Sequence, residues 1–288
     1  MKRHPRSPAV TRRHERSCTE VLPPPGNVDP MGRFDDGSAG DADYGVIGPG
    51  YSGIRQPDPR IEARVWAALG DARSVVNVGA GAGSYEPYDR EVVAVEPSAA
   101  MRAERPSTRV AAIDATADHL PFDDDRFDAA MASITVHQWP DLAAGLGEMR
   151  RVASGPVVIL TFAPEVPESW WQPVYVPELY EVEARRMPPL ERIAEILGGD
   201  VEIQVVPVPA DCIDGFGQAF FARPERTLEP AVRRAMSAWS FLEPGVEERY
   251  VRDLSADLES GTWDEKWGRF REMPEFDVGL RLVVARPA

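Results

Sequence analysis

Apolar positions along this chain fall into two patterns. Over "DPRIEARVWAALG", Ile61, Val65, Ala68 and Leu69 recur at helical spacing, with Asp58 as N-cap, Pro59 at the first helical position and Gly70 as the stop. This predicts an amphipathic helix. Beyond it come short runs that are apolar throughout, at 75–78, 92–95, 110–113, 127–131 and 157–162. Lacking the alternation of a half-solvated strand, they predict strands buried on both faces of a parallel sheet. "DLAAGLGEMRRV", capped by Asp141 and apolar at Leu142, Leu146, Met149 and Val152, supplies the helix between the last two. The class is therefore α/β, a doubly wound sheet with right-handed crossovers and ligands at the carboxyl ends of its strands.

"VEIQVVPVP" reads as a sixth strand and "DVGLRLVVA" as the final one, so 211–275 forms a helical insertion between the last two strands. One helix in it carries Val232, Ala235, Met236 and Trp239, and another Val246, Tyr250, Leu254 and Leu258. Together with "ESWWQPVYVPELY", the insertion gathers Trp170, Trp171, Tyr175, Phe216, Phe220 and Phe221. Such residues either roof a substrate pocket or form a satellite core. The aromatic loop after the fifth strand and the turn 211–216 are the pocket candidates, with Asp211, Asp214 and Arg223 as orienting groups or turn and cap residues. The first 43 residues read differently: "MKRHPRSPAVTRRHERSCTE" has six Lys or Arg against two Glu and almost no apolar run, and a Pro-, Gly- and Asp-rich stretch follows. That composition predicts a disordered tail over 1–43 and one folded domain over 44–288.

Charge narrows the function. With 47 acidic against 32 basic residues and a net charge of -15, no broad positive surface for nucleic acid is expected. No apolar stretch is long enough to span a membrane, and the two cysteines, Cys18 and Cys212, suggest neither a disulfide framework nor a metal site. A small-molecule substrate and a reducing cytoplasm fit; oligomeric state stays open.

"VVNVGAGAGSYEP" places three glycines at every second position directly after the first strand. A turn stripped of side chains there lets backbone N–H groups approach a nucleotide-like cofactor. A dinucleotide fingerprint would require its third glycine at Ser84, and the short gap before the second strand leaves a poor helix platform for a pyrophosphate. Glu96, ending the second strand in "VVAVEPS", can accept bonds from both ribose hydroxyls.

With "DATADHLPFDDDRFDAAMASITVHQW", these segments resemble the class I S-adenosylmethionine-dependent methyltransferases, in the group with a Leu-Pro-Phe turn and a His-x-Trp sequence after the fourth strand. The resemblance covers roughly 44–197. It implies a mostly parallel, Rossmann-like seven-stranded sheet whose last strand is antiparallel, with S-adenosylmethionine as cofactor. It also implies that Gly79, Ala80, Gly81 and Gly83 form the turn beneath the cofactor, that Glu96, followed by Pro97, holds the ribose, and that Met101 packs near the adenine. Thr116, Ala117 and Asp118 line the adenine edge, with Thr116 standing where the family commonly has Asp. Ser133 offers its carbonyl to the methionine ammonium. Upstream, Tyr51 and Arg55 belong to a segment that folds over the cofactor, where Arg55 either pairs with the methionine carboxylate or remains a surface charge.

A sulfonium is already an activated methyl donor, so the protein must chiefly align a nucleophile and, where required, remove a proton. In "TVHQWPD", His137 is a candidate general base or a packed loop residue, and Trp139 a substrate-pocket wall. The expected activity is methyl transfer to a small molecule through O, N or C. The alternatives are a regulatory protein that binds S-adenosylmethionine without transfer and, further off, a nicotinamide-dependent oxidoreductase.

Overall fold

Every apolar run contributes to one sheet in the computed structural model of the chain, which describes residues 34–48, 50–165 and 170–287. The strands are β1 (Ser74–Val78), β2 (Glu91–Val95), β3 (Ala112–Ile113), β4 (Ala129–Ser133), β5 (Val157–Phe162), β6 (Asp200–Val205), β7 (Val208–Pro209), β8 (Glu275–Phe276) and β9 (Leu280–Arg286). Seven form a sheet in the order β3-β2-β1-β4-β5-β9-β6, while β7 and β8 pair as a separate ribbon. The first five strands are parallel, and β9 runs antiparallel between β5 and β6.

Successive side chains in a strand point to opposite faces, so fully apolar strands feed two cores. Val75, Met131, Leu160 and Leu282 pack on one face with Ile61, Val65 and Leu69 of the predicted helix, α3, which follows two single-turn helices: α1 (Tyr44–Ile47), α2 (Tyr51–Ile54) and α3 (Pro59–Ala68). Asp58 caps α3 as expected, accepting from the Arg60 amide. On the other face, Val76, Ala130, Ile159 and Val283 meet Leu146, Met149 and Val152. These last belong to the predicted helix capped by Asp141: α4 (Ala99–Ala103) is followed by α5 (Leu142–Val152).

Three boundaries move. The third strand shrinks to two residues because Val110 lies outside the pairing, 44% exposed at the sheet edge. The fourth starts at Ala129, since the Asp128 carboxylate turns to accept from the Arg73 and Ser74 amides. Residues 34–43 are packed against the domain: the Ser98 hydroxyl donates to Asp36 at 2.5 Å, the Ala99 amide to the Asp36 carbonyl at 2.6 Å, and Arg186 pairs with Asp41 at 2.6 Å. Residues 34–43 of the predicted tail therefore pack on the domain. Asp36 and Asp41 were read as composition, although each has a specific partner; the remainder of the predicted tail, 1–33, lies outside the described residues.

Helices α6 (Gln172–Tyr175), α7 (Pro177–Arg186) and α8 (Leu190–Leu197) connect β5 to β6. In the insertion, the helix expected through Val232 and Trp239 ends as α9 (Pro230–Arg234), Met236 is extended, and a single turn of 3-10 helix follows. Met236 leaves the helix because its thioether fills the space beside Gly217, where a Cβ would come within 2.5 Å of its sulfur. The second insertion helix forms as α10 (Val246–Ser260), with Tyr250 and Leu254 buried.

Candidate active site

A cleft of about 880 Å³ opens at the carboxyl ends of β1, β2 and β4. Its floor is the glycine turn. Gly79 has φ +67, and a Cβ there would lie 2.4 Å from the Thr135 hydroxyl, so only glycine lets β1 turn beneath the strand-four loop. The turn is braced from behind: Arg105 donates to the Gly81 carbonyl at 3.0 Å and to both Glu86 oxygens at 2.8 and 2.9 Å, and Glu86 also accepts from the Asn77 amide. Gly83 packs against this Arg105–Glu86 layer and does not line the cleft, which corrects its assignment as a cofactor contact.

Glu96 is 7% exposed at the end of β2. One carboxylate oxygen accepts from the Gly81 amide at 2.8 Å and the other from the Ser98 amide at 2.9 Å, so each keeps a lone pair for a ligand hydroxyl. Burial pushes its pKa up, against these two bonds. Ser98 in turn caps α4, accepting from Met101, and holds Asp36. Tyr51, Arg55, Ala80, Pro97, Met101, Thr116, Ala117 and Ser133 all line the cleft as expected. The Asn77 side-chain oxygen and the Ser133 hydroxyl are buried without partners at this wall, polar groups free for a ligand. Asp118 does not line it: its carboxylate turns to His119, 3.0 Å away, and to Thr116.

Trp139, expected in a substrate wall, stands on the same wall of the first cleft as Thr116 and Ala117, its ring against Gly145 of α5. Ser38 and Ala39, from the segment expected to be disordered, and Tyr44 also line the cleft; nothing local in the sequence marks them. Gly40 explains their approach. With φ +106, it lies so close to the Gln138 carbonyl that a Cβ would overlap it.

A second cavity adjoins the first. Tyr44, Tyr51, Arg55, Ile134 and Gln138 line both. Ile134 holds φ +52, an unusual conformation for a β-branched residue and one that concentrates at functional sites. The far wall brings His137, Phe162, Glu183, Met187, Phe216 and Met236 together. Burial, with the Arg186 and Arg55 charges nearby, pushes the His137 pKa down to about 3, so its imidazole is neutral throughout the physiological range. Its Nδ1 has no partner.

The other predicted substrate residues lie elsewhere. Trp170 and Trp171 are buried and stacked on each other in the main core, where Trp171 donates to the Phe221 carbonyl. Tyr175 donates to Asp257 beside a separate surface groove. Asp211 is an exposed partner of Arg60, and Phe220 lines a different cleft under Arg223 and Arg226. Aromatic content alone did not separate core from pocket. Arg55 is no surface charge: 9% exposed, it donates through Nε to Asp214 at 2.6 Å and through Nη1 to Tyr51 at 2.9 Å. Asp214 also accepts from Tyr85 at 2.7 Å.

The model of the methyltransferase domain family matches residues 76–158, from within β1 into β5. No curated protein matches the chain. Among solved structures, one from Anabaena variabilis, described as a candidate methyltransferase from an antibiotic biosynthesis pathway, is 28% identical and superposes with a TM-score of 0.75 over 81% of this chain and 98% of its own. The [4+2]-cyclase SpnF, 16% identical, covers 85% of this chain and 93% of its own at a TM-score of 0.52, a likeness of fold alone. The chain thus carries a methyltransferase domain, with the strand order, the glycine turn and the strand-end Glu96 that the resemblance to the class I S-adenosylmethionine-dependent methyltransferases implies.

Proposed function

We propose that the protein methylates a small molecule, with the donor in the first cavity and the acceptor in the second. The observation that carries this reading is the shared wall: Tyr44, Tyr51, Arg55, Ile134 and Gln138 border both spaces. S-adenosylmethionine supplies a methyl group already activated on a sulfonium. Glu96 then accepts from the ribose hydroxyls, the Ser133 carbonyl and the Asn77 oxygen face the ammonium, and Arg55, fixed by Asp214, directs its remaining N–H groups to the carboxylate. Met101, Thr116, Ala117 and Trp139 form the adenine side. His137, neutral and with its Nε2 held by the Gln138 side-chain amide at 3.2 Å, turns its unpartnered Nδ1 to the acceptor.

A partly open cavity of about 450 Å³ suits a small acceptor, and the net charge of -15 disfavours nucleic acid. No helix among the described residues is long and apolar enough to cross a membrane, and Cys212 is a buried free thiol, in keeping with a cytoplasmic setting. Calorimetry with S-adenosylhomocysteine tests the site: Glu96→Ala should weaken binding by about 1.5–3 kcal/mol, the cost of losing bonds to a charged acceptor. Binding of NAD, or an unweakened Glu96→Ala variant, would reject the assignment.

A further inference from the structure

We infer that the acceptor is a basic amine and that Glu183 selects it. This deepens the proposed function and rests on it. Glu183, on α7, is the one carboxylate in the lining of the second cavity. No cation pairs with it directly. Arg186, three residues on, is occupied by both oxygens of Asp41 at 2.6 and 2.9 Å, and Arg55 is occupied by Asp214. Among the described residues Glu183 forms no salt bridge; the Gln218 amide is its side-chain partner, and burial pushes its pKa up against the more distant charges of Arg186 and Arg55.

Glu183 is half-buried, and a carboxylate so placed without a direct cation partner gains from a ligand that brings one. The rest of the lining fits such a ligand. Tyr44, Phe162 and Phe216 offer aromatic surface, and Met187 and Met236 are polarisable apolar contacts, an environment that accepts an ammonium on an apolar body. The unpartnered His137 Nδ1 is a further polar group in the same cavity. A carboxylic acid would instead meet Glu183 as a like charge, because the remaining N–H groups of Arg55 are directed to the methionine carboxylate. A phenol or alcohol would leave the carboxylate unpaired.

In the transfer, the bound ammonium gives one proton to the Glu183 carboxylate. The freed nitrogen lone pair forms the N–CH3 bond as the C–S bond breaks and leaves its electron pair on sulfur. Positive charge passes from sulfur to nitrogen, and the product leaves as a methylated ammonium.

The test titrates benzylamine, phenethylamine and tryptamine, each beside its matching alcohol and carboxylic acid, into protein saturated with S-adenosylhomocysteine. Single-turnover transfer from S-adenosylmethionine is followed in parallel. At least one amine should bind and accept methyl while its alcohol and acid do not. Glu183→Gln should weaken that binding by about 10- to 100-fold, as for a lost charge-assisted bond, with the melting temperature and S-adenosylhomocysteine affinity unchanged. Preferred binding of an acid or alcohol, no binding of any amine to the loaded protein, or equal amine affinity in Glu183→Gln overturns the inference. Failure of the wild-type protein to bind S-adenosylhomocysteine would instead reject the methyltransferase site itself.

Discussion

Arg55 and Asp214 are 159 residues apart in sequence and 2.6 Å apart in the fold, in an ion pair 9% and 0% exposed. The pair ties the segment over the cofactor cleft to the insertion before β9, and Tyr85, just past the glycine turn, closes it from below. Three distant parts of the chain thus meet at one carboxylate.

Removing one partner of such a pair leaves a buried charge uncompensated. Asp214→Asn should therefore destabilise the fold by about 3–5 kcal/mol, whereas Arg55→Met with Asp214→Leu should recover much of that loss. Chemical denaturation of the two variants measures the difference. If the double variant proves no more stable than Asp214→Asn, the pair is not acting as a buried charge couple. The double variant should still bind S-adenosylhomocysteine less tightly, because the guanidinium is gone.

At Gly79 the expected effect separates into two parts. Gly79→Ala incurs roughly 1–2 kcal/mol for a left-handed backbone and, in addition, the overlap with Thr135. Thr135→Gly in the same chain should relieve only the overlap. A melting temperature for the double variant partway between Gly79→Ala and wild type is the expected result; an unchanged one would mean that the neighbouring loop yields without cost.

The low pKa of His137 makes acid a denaturant. Its folded value of about 3 lies below the ordinary value of 6.5, so the unfolded chain binds the extra proton between them. The contribution is fully present above about pH 6.5 and is lost as pH falls toward 3. His137→Gln should flatten the decline in melting temperature over this window relative to wild type. Methyl transfer should show no rising limb near pH 6.5 from this group, contrary to the behaviour of an ordinary histidine base. A wild-type limb there that His137→Gln abolishes would overturn the assignment of a permanently neutral imidazole.

The segment 34–43 provides a further check. Asp36→Ala removes an acceptor from Ser98, which is bound in turn to Glu96, so affinity for S-adenosylhomocysteine should fall by about 0.5–1.5 kcal/mol. A truncation lacking 1–43 should lose more, since Ser38 and Ala39 leave the cleft wall as well. Unchanged calorimetric affinity in both would return this segment to the status of a passive tail.

The cofactor half of the site was legible because its signals are local. Glycines directly after a buried strand, and an acid ending the next one, are spaced by the βαβ unit itself. The acceptor half is assembled from α2, the strand-four loop, α7 and the insertion, and no sequence spacing links Glu183 to His137. Ser38 was invisible for a related reason, lying in a Gly-, Ala- and Asp-rich stretch that matches a tail, and Tyr44, at the start of the predicted domain, had no motif to mark it. Trp170 and Trp171 misled in the opposite direction, since a loop rich in large rings after β5 fits a lid as well as a core. Only packing distinguishes the two.

The two cavities adjoin, with Tyr44, Tyr51, Arg55, Ile134 and Gln138 bordering both. A single compound carrying an adenosyl group at one end and the acceptor skeleton at the other could span both. Once its first half docks, the second is held at high effective concentration, so such a conjugate should surpass either fragment by far more than their separate affinities suggest. If the first cavity holds the donor and the second the acceptor, their shared border favours bisubstrate inhibitors.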